Sequence, residues 1–202
     1  MSSNHFNTLP NHDKTTLRSF FLGKRKLLLK NNPEKKRSLD LEIQSRLLMS
    51  EEYRKADTIL CYISRDIEID TIGIILASFS NKKRVAVPRC EEDGVMRFYL
   101  ISSLSDLETG SFGIREPKEG TKPLDDFPDS LCICPALCCD MRGYRVGFGK
   151  GYYDRFLKSF AGTTCALCYS DALIPEINAD EYDIPIQTVV TDDFIRRNNC
   201  KH

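Results

Sequence analysis

One short stretch of the chain, GYRVGFGKGYYD at residues 143–154, combines four glycines with two cations and one carboxylate. Glycine lets the backbone come close to a ligand and adopt conformations that other residues resist. The cations inside the stretch are Arg145 and Lys150. The apolar residues at its end recur at helical spacing: Tyr153, Phe156, Leu157 and Phe160. A cationic, glycine-rich loop that opens a helix predicts a site for an anion such as phosphate.

This loop matches neither of the two commonest phosphate-binding motifs. Tyr144 stands where a Walker A loop needs its first glycine, and Gly151 stands where that loop needs Ser or Thr. Tyr152 replaces the third glycine of a Rossmann fingerprint. A tight strand-to-helix turn without a ligand is the plainer interpretation of the glycines. Arg145 and Lys150 favour the anion site, because a turn does not need cations.

Apolar periodicity predicts helices and strands that alternate along most of the chain. The first helix begins at Asp13 and ends near Asn31, and the second begins at Pro33 with Asn32 as its cap. Asp70 caps a third, and a fourth follows the glycines. Strands are predicted at residues 58–63, 84–88, 95–100, 131–135, 164–169 and 188–191. The alternation predicts a three-layer α/β/α fold with a mostly parallel sheet and an N-terminal helical pair.

The same pattern predicts buried faces, a strand end and the place of the site. The buried residues of the first helix are predicted to be Leu17, Phe20, Phe21, Leu27 and Leu28, and those of the third Ile72, Ile75, Leu76 and Phe79. Pro88 is predicted to end its strand. Ligands in such folds bind beyond the carboxyl ends of the strands, where the glycine-rich stretch lies.

Length and charge place limits on the class of protein. The 202 residues suffice for one domain, which we assign to residues 13–202 after a loose segment at residues 1–12. Acidic and basic residues balance at 29 each, which argues against a nucleic-acid partner. No apolar run approaches the ~20 residues of a membrane span, and the N-terminus lacks the layout of a secretory signal. We therefore expect a cytoplasmic monomer without a membrane partner.

The nine cysteines are predicted to serve packing rather than chemistry. Five of them lie in apolar runs, where Cys acts as a small hydrophobic residue: Cys61, Cys132, Cys134, Cys165 and Cys168. An odd count in a reducing compartment argues against a disulfide framework. Cys165 and Cys168 share a predicted strand at a spacing that points them to opposite faces, which argues against zinc.

The glycine-rich stretch resembles the signature of the 5-formyltetrahydrofolate cyclo-ligase family, whose members are also called methenyltetrahydrofolate synthetases. Other segments resemble the same family in the same order: Lys14 with Arg18, and residues 64–71, 87–89, 112–117, 135–140 and 183–185. The resemblance covers most of the chain between residues 14 and 191. Gln187 departs from it, because that position is often acidic in the family.

The resemblance implies a carbon–nitrogen cyclo-ligase that uses ATP and Mg²⁺ to convert 5-formyltetrahydrofolate, with or without a polyglutamate tail, into 5,10-methenyltetrahydrofolate. It assigns ATP to Lys14, Arg18, Arg145, Val146, Gly147, Phe148, Gly149, Lys150, Gly151, Tyr152 and Tyr153. It assigns the folate to Ile63, Glu68, Phe112, Gly149, Lys150, Gly151 and Tyr152, and the metal to Asp154 and Asp183. Arg145, Lys150 and Tyr152 are the catalytic candidates.

The implied chemistry suits these residue types. Transfer of a phosphoryl group to the formyl oxygen turns a poor leaving group into phosphate, and N10 can then close the ring. Such a reaction needs positioning and charge neutralisation rather than a nucleophilic side chain. The three histidines, His5, His12 and His202, lie in the terminal segments, so we expect no histidine base.

Plainer explanations and other functions stay open at this point. Lys14 and Arg18 share a helix face that could be solvated, and Asp154 suits the first turn of a helix. Asp183 could be a turn residue. The chain could instead be another phosphate-binding α/β enzyme, such as a sugar-phosphate isomerase or a CoA transferase. It could also be a folate- or nucleotide-binding module without activity.

Overall fold

A computed structural model describes residues 12–91, 94–110 and 113–198. Phe112 and residues 1–11 of the predicted loose segment lie outside these ranges. The helices are α1 (Lys14–Asn31), α2 (Pro33–Leu48), α3 (Glu51–Lys55), α4 (Ile72–Ser80) and α5 (Tyr152–Leu157). The strands are β1 (Thr58–Cys61), β2 (Arg84–Cys90), β3 (Met96–Ile101), β4 (Leu107–Thr109), β5 (Arg115–Pro117), β6 (Ser130–Pro135), β7 (Cys138–Asp140), β8 (Arg145–Val146), β9 (Thr163–Leu167), β10 (Leu173–Ile174), β11 (Thr188–Val190) and β12 (Ile195–Arg197).

Local capping sets the boundaries of the N-terminal helical pair. The Asp13 carboxylate accepts hydrogen bonds from the backbone amides of Thr15 and Thr16, both at 3.0 Å, and so begins α1. Asn32 follows the end of α1, and its side chain accepts from the amide of Lys35 at 3.0 Å. Pro33 occupies the first position of α2, where no backbone N–H is needed. The predicted extent of α1 and the predicted start of α2 are confirmed.

The central sheet has seven strands in the order β12-β11-β9-β6-β1-β2-β3. The five inner strands are parallel to one another, and each of the two edge strands, β12 and β3, is antiparallel to the strand beside it. From β1 the chain moves outward through α4 to β2, whereas from β6 it moves the other way through α5 to β9. Because such crossovers are right-handed, α4 and α5 cover opposite faces of the sheet. The predicted fold class is confirmed.

The strand order reverses between β1 and β6, which are neighbours in the sheet. The chain leaving β1 and the chain leaving β6 therefore diverge over opposite faces and open a crevice at the carboxyl edge. Doubly wound sheets bind their ligands in such a crevice. The segment after β1 is residues 64–71, here named the Glu68 segment. The connection after β6 leads through β7 and β8 to residues 147–151, here named the glycine-rich loop.

The predicted end of β2 at Pro88 is wrong, since the strand continues to Cys90. Only residues 84–86 of β2 pair with β1, whereas the pairing with β3 extends along the whole strand from Val85. Among the described strands, only β3 is paired with β2 at Pro88, so a missing N–H on the other edge of β2 removes no hydrogen bond between paired strands. Strand β9 ends at Leu167, so Cys168 lies beyond it and not in it as predicted.

The buried face of α1 is narrower than predicted. Leu17 and Phe21 are buried, but Phe20 and Leu27 are 40% and 59% exposed. The buried stripe repeats every four residues through Leu17, Phe21 and Arg25, and the two exposed side chains lie beside it. Helix α4 is the third predicted helix. Burial was predicted wrongly for its Leu76, which is 48% exposed, and correctly for Ile75.

The described cysteines contribute to the core. Eight are free thiols, and all of these except Cys90 are buried. Burial raises the pKa of Cys61 and of Cys165 above the ordinary thiol value, so these groups stay neutral and apolar. The predicted packing role of the cysteines in the strands is therefore confirmed. Among the described helices, none is both long enough and apolar enough to span a membrane.

Candidate functional site

The glycine-rich loop uses backbone conformations that favour glycine. Gly149 has φ +96°, and Gly151, which precedes α5, has φ +67°. Both values lie in the left-handed region, where a side chain is strained. A Cβ built on Gly149 would lie 3.2 Å from the guanidinium carbon of Arg18. Glycine at this position therefore also makes room for a cation from α1.

Two predicted nucleotide-binding cations of α1 reach this edge of the sheet. Nε of Arg18 donates a hydrogen bond to the carbonyl of Gly147 at 3.0 Å. The Lys14 ammonium donates to Oδ2 of Asp183 at 2.7 Å and also pairs with Asp180. The structure thus brings Lys14 and Arg18 to the glycine-rich loop and to the predicted metal ligands.

The ammonium group of Lys14 is held in its charged form. Partial burial alone lowers its pKa, but hydrogen bonds to Asp180 and Asp183 outweigh this, and the pKa is raised. The same contact with Lys14 lowers the pKa of Asp180. Since the lysine pKa is raised and the aspartate pKa is lowered, the ion pair is complete throughout the neutral pH range.

Arg145 and Asp154, which lie on either side of the glycine-rich loop in sequence, form an ion pair. The Arg145 side chain is 4% exposed, and its Nη2 lies 3.1 Å from Oδ1 of Asp154. Its Nη1 donates to the carbonyl of Ile184 at 3.1 Å, and the amide of Ile184 donates to Oδ1 of Asp154 at 3.3 Å. Arg145 therefore connects the start of α5 to residues 180–184, here named the acidic segment.

The two carboxylates predicted to bind a metal are each bonded to protein groups through one oxygen. Asp154 uses Oδ1 for Arg145 and Ile184, while Asp183 uses Oδ2 for Lys14 and the amide of Asp180. The other oxygen of each has no partner among the described residues. Those residues include no group of three His, Cys, Asp or Glu side chains placed to hold a metal. Mg²⁺ suits the two carboxylates, because it commonly binds to one or two of them together with water and phosphate oxygens.

The Glu68 segment meets the glycine-rich loop across the crevice. The guanidinium of Arg65 lies over the ring of Phe148, with 4.6 Å between its carbon and the ring centroid. Glu68 is buried, and its Oε2 accepts from the amide of Arg65 at 2.8 Å. Ile63, just before the segment, is also buried. Both regions predicted to contact folate therefore lie at the strand-order reversal, while the candidate Phe112 lies outside the described residues.

Three further candidates differ in their surroundings. Lys150 is exposed, and its ammonium has no hydrogen bond or ion pair within the described part of the chain. Tyr152 is half-buried, with the Arg155 guanidinium 5.1 Å from its ring centroid. Tyr153 packs edge-on against Phe98, and its buried hydroxyl has no partner among the described residues. Lys150, the cation of the glycine-rich loop, is therefore available to an incoming anion.

Sequence reasoning missed several residues that shape this site. Asp180 and Asp183 both pair with Lys14. The sequence contained a signal for Asp180, because it and Asp183 are two acids three residues apart that precede Ile184 and Pro185. Arg65 carried no signal beyond its position next to a predicted strand. Gln187, already noted as a departure from the family pattern, accepts at its Oε1 from the amide of Thr164 at 2.8 Å, so its side chain connects the chain after the acidic segment to β9.

A doubly wound sheet with a cationic glycine-rich loop at its strand-order reversal is an architecture typical of phosphate- and nucleotide-binding α/β proteins. The model of the 5-formyltetrahydrofolate cyclo-ligase family matches residues 10–192. The chain therefore belongs to this family, and the predicted family and enzyme class are confirmed.

Individual relatives agree with the family match. The chain is 28% identical over 167 residues to the 5-formyltetrahydrofolate cyclo-ligase of Escherichia coli, and the alignment covers 79% of this chain and 91% of the relative. It is 26% identical over 178 residues to the probable 5-formyltetrahydrofolate cyclo-ligase of Schizosaccharomyces pombe, covering 80% and 87%. It is also similar to the solved structure of Aquifex aeolicus 5,10-methenyltetrahydrofolate synthetase, with a TM-score of 0.79, 30% identity and 94% of each chain covered.

Proposed function

We propose that the protein converts 5-formyltetrahydrofolate into 5,10-methenyltetrahydrofolate with consumption of ATP, and that Mg²⁺ assists the reaction. One observation carries the proposal. Cations from α1 and β8, two carboxylates, the glycine-rich loop and the Glu68 segment converge at the strand-order reversal of a chain of this family. An isomerase or a CoA transferase would need a base or a nucleophilic carboxylate, and no feature of the crevice singles one out.

The nucleotide side of the proposed site comprises the glycine-rich loop with Lys150, and the two arginines Arg18 and Arg145 beside it. Arg18 and Arg145 are fixed by hydrogen bonds to the carbonyls of Gly147 and Ile184, so their guanidinium groups are already oriented before a ligand binds. Lys150 stays free to follow the transferred phosphoryl group. Phosphoryl transfer depends mainly on such positioning and on the neutralisation of phosphate charge.

Asp154 and Asp183 would hold Mg²⁺ through the oxygens that have no partner among the described residues. A bound Mg²⁺ neutralises phosphate oxygens during the transfer. Lys14 contacts Asp183, so its ammonium would be available to bind a phosphate oxygen at the same site. The acidic segment and the start of α5 supply one carboxylate each, and Arg145 keeps the two parts together.

The reaction can be written in two balanced steps. The formyl oxygen attacks the γ-phosphorus of ATP, the bond from that phosphorus to the bridging oxygen breaks, and ADP leaves. N10 then attacks the formyl carbon and gives its proton to water or to the departing phosphate, and the carbon–oxygen bond breaks to release phosphate. Tyr152, at the junction of loop and α5, is the proposed contact to the reacting end of the folate.

The proposal predicts an ATP-dependent product with a characteristic absorbance. Purified protein mixed with 5-formyltetrahydrofolate, ATP and Mg²⁺ should form the methenyl product, with one ADP released for each product molecule. Absorbance of the methenyl group and a coupled ADP assay measure the two yields. Product formation that proceeds equally well without ATP, or no product at all, would contradict the proposed function.

Replacing Asp154 by asparagine is expected to weaken the response to Mg²⁺. Loss of the carboxylate charge should raise the half-saturating Mg²⁺ concentration by about 10- to 100-fold, the range found when the support of a metal ligand is lost. Calorimetry with a non-hydrolysable ATP analogue measures the same shift without turnover. Asp171→Asn, which alters an exposed carboxylate paired with Lys24, is the matched control. An unchanged Mg²⁺ requirement would show that Asp154 serves only to hold Arg145.

A further inference from the structure

Helix α2 buries an ion pair directly beside the Glu68 segment. Lys36 and Asp40 are only 8% and 3% exposed, and Nζ of Lys36 lies 2.7 Å from Oδ2 of Asp40. The same ammonium donates a second hydrogen bond to the backbone carbonyl of Glu68 at 2.8 Å. A charged side chain of α2 therefore holds the main chain at the residue whose carboxylate is a folate-contacting candidate.

The partner carboxylate is also fully engaged. Oδ1 of Asp40 accepts from the hydroxyl of Tyr169 at 2.7 Å, and Oδ2 accepts from the backbone amide of Asp70 at 3.3 Å. The pair thus contacts the Glu68 segment twice, through the carbonyl of Glu68 and the amide of Asp70. Tyr169 anchors the carboxylate from just beyond β9 and is itself covered by the Arg25 guanidinium, 5.1 Å from its ring centroid.

Stability alone is a weak reason to bury such a pair. The cost of removing both charges from water offsets much of their attraction, and well-packed apolar residues often serve a fold equally well. Buried polar groups do, however, impose one geometry on the backbone they bind. That geometry extends to the crevice, because Glu68 accepts from the amide of Arg65, and Arg65 lies over Phe148 of the glycine-rich loop.

We propose that Lys36 and Asp40 are positioning residues that fix the Glu68 segment for the folate substrate. The inference rests on the proposed function, because it takes the Glu68 segment as part of the folate site. Both residues are buried, and their hydrogen bonds go to each other, to the Glu68 segment and to Tyr169. Their loss should therefore weaken folate binding and leave nucleotide binding, which depends on α1 and the loop, nearly unchanged.

The test compares two double variants that keep the net charge of the protein. K36M/D40N removes the hydrogen-bond donor to Glu68 and leaves no unpaired buried charge. K36Q/D40N also removes the charges but retains an amide donor at nearly the same place. We expect the affinity for 5-formyltetrahydrofolate, measured by calorimetry, to fall about tenfold in K36M/D40N and less in K36Q/D40N, a loss typical of a slightly misplaced site. The affinity for ATP should change less than about twofold.

Hydrogen–deuterium exchange supplies a readout without any ligand. Exchange should rise in peptides that cover the Glu68 segment of K36M/D40N and stay unchanged in peptides that cover the glycine-rich loop. E51Q/K55M alters another i,i+4 pair, which is exposed on α3, and serves as the control for the change of charged residues.

Four results would overturn the inference. Folate affinity in K36M/D40N could match wild type, or the affinities for folate and ATP could fall together with a general rise in exchange. The variant could also fail to fold, which would show that the pair serves the whole fold. Absence of folate binding in wild type would remove the role as well, and the product assay described above reports separately on the reaction.

Discussion

Replacing Lys150 by alanine is expected to lower turnover by about two to three orders of magnitude. The exposed ammonium of Lys150 has no partner in the described structure, so no packing or ion pair is lost with it. In the proposed reaction, its charge would stabilise the phosphoryl group as negative charge moves between ATP and the formyl oxygen. Initial rates at saturating ATP and folate measure the loss, and the thermal unfolding midpoint should stay near that of wild type.

The matched control for this variant is Lys158→Ala, which removes another exposed lysine just past the end of α5. Lys158 lies over the ring of Tyr182, 5.1 Å from its centroid, and away from the loop. Its replacement should leave turnover within about twofold of wild type. Normal turnover in Lys150→Ala would remove Lys150 from the catalytic residues and leave Arg145 as the principal cation of the transfer. A rise in the ATP KM without loss of turnover would instead assign Lys150 to nucleotide binding alone.

Features encoded by neighbouring residues were predicted well. Asp13 begins α1 through bonds to amides two and three residues away, and Asn32 with Pro33 begins α2 in the same local manner. The apolar runs of β1, β6 and β9 are visible because a buried parallel strand needs no polar face. The two-residue strand β8 and the three-residue strands β7 and β12 were missed, because strands this short depend on their partners rather than on their own pattern.

The site was predictable only where one stretch of sequence contains it. The glycine-rich loop is recognisable from its glycines and the cations in and beside it. Its contact with Arg18 spans 129 positions, and the spacing of Lys14 and Arg18 is equally typical of a solvated helix face. Only the family resemblance linked α1 to the loop. Lys36 and Asp40 show the same limit, because an i,i+4 pair of opposite charges is normally exposed, and tertiary packing alone buries this one.

Replacing Asp140 by alanine is expected to cost the fold about 3–5 kcal/mol in free energy of unfolding. Asp140 is completely buried. Its Oδ1 accepts from the amides of Arg142 and Tyr144, both at 2.9 Å. Its Oδ2 accepts from the amide of Ile177 and from Nε of Arg142, both at 3.0 Å. Alanine would leave these donors without their acceptor, and a buried unpaired amide carries the full cost of its lost hydration.

Urea denaturation measures this loss, with Asp171→Ala as the matched control. The Asp171 carboxylate is 64% exposed and pairs with Lys24 at 2.8 Å, so its removal should cost no more than about 1 kcal/mol. Equal effects of the two substitutions would contradict the anchoring role of Asp140.

The position of Asp140 gives its loss a second consequence. It holds the turn between β7 and β8, where Gly143 has φ +94° and an added Cβ would meet the carbonyl oxygen of Ile186 at 2.4 Å. Through Ile177 it also holds the chain that leads to the acidic segment. The glycine-rich loop and the acidic segment thus share one buried anchor. In any Asp140→Ala protein that remains folded, the affinities for ATP and Mg²⁺ should therefore fall together, whereas Asp154→Asn should weaken Mg²⁺ binding more than ATP binding.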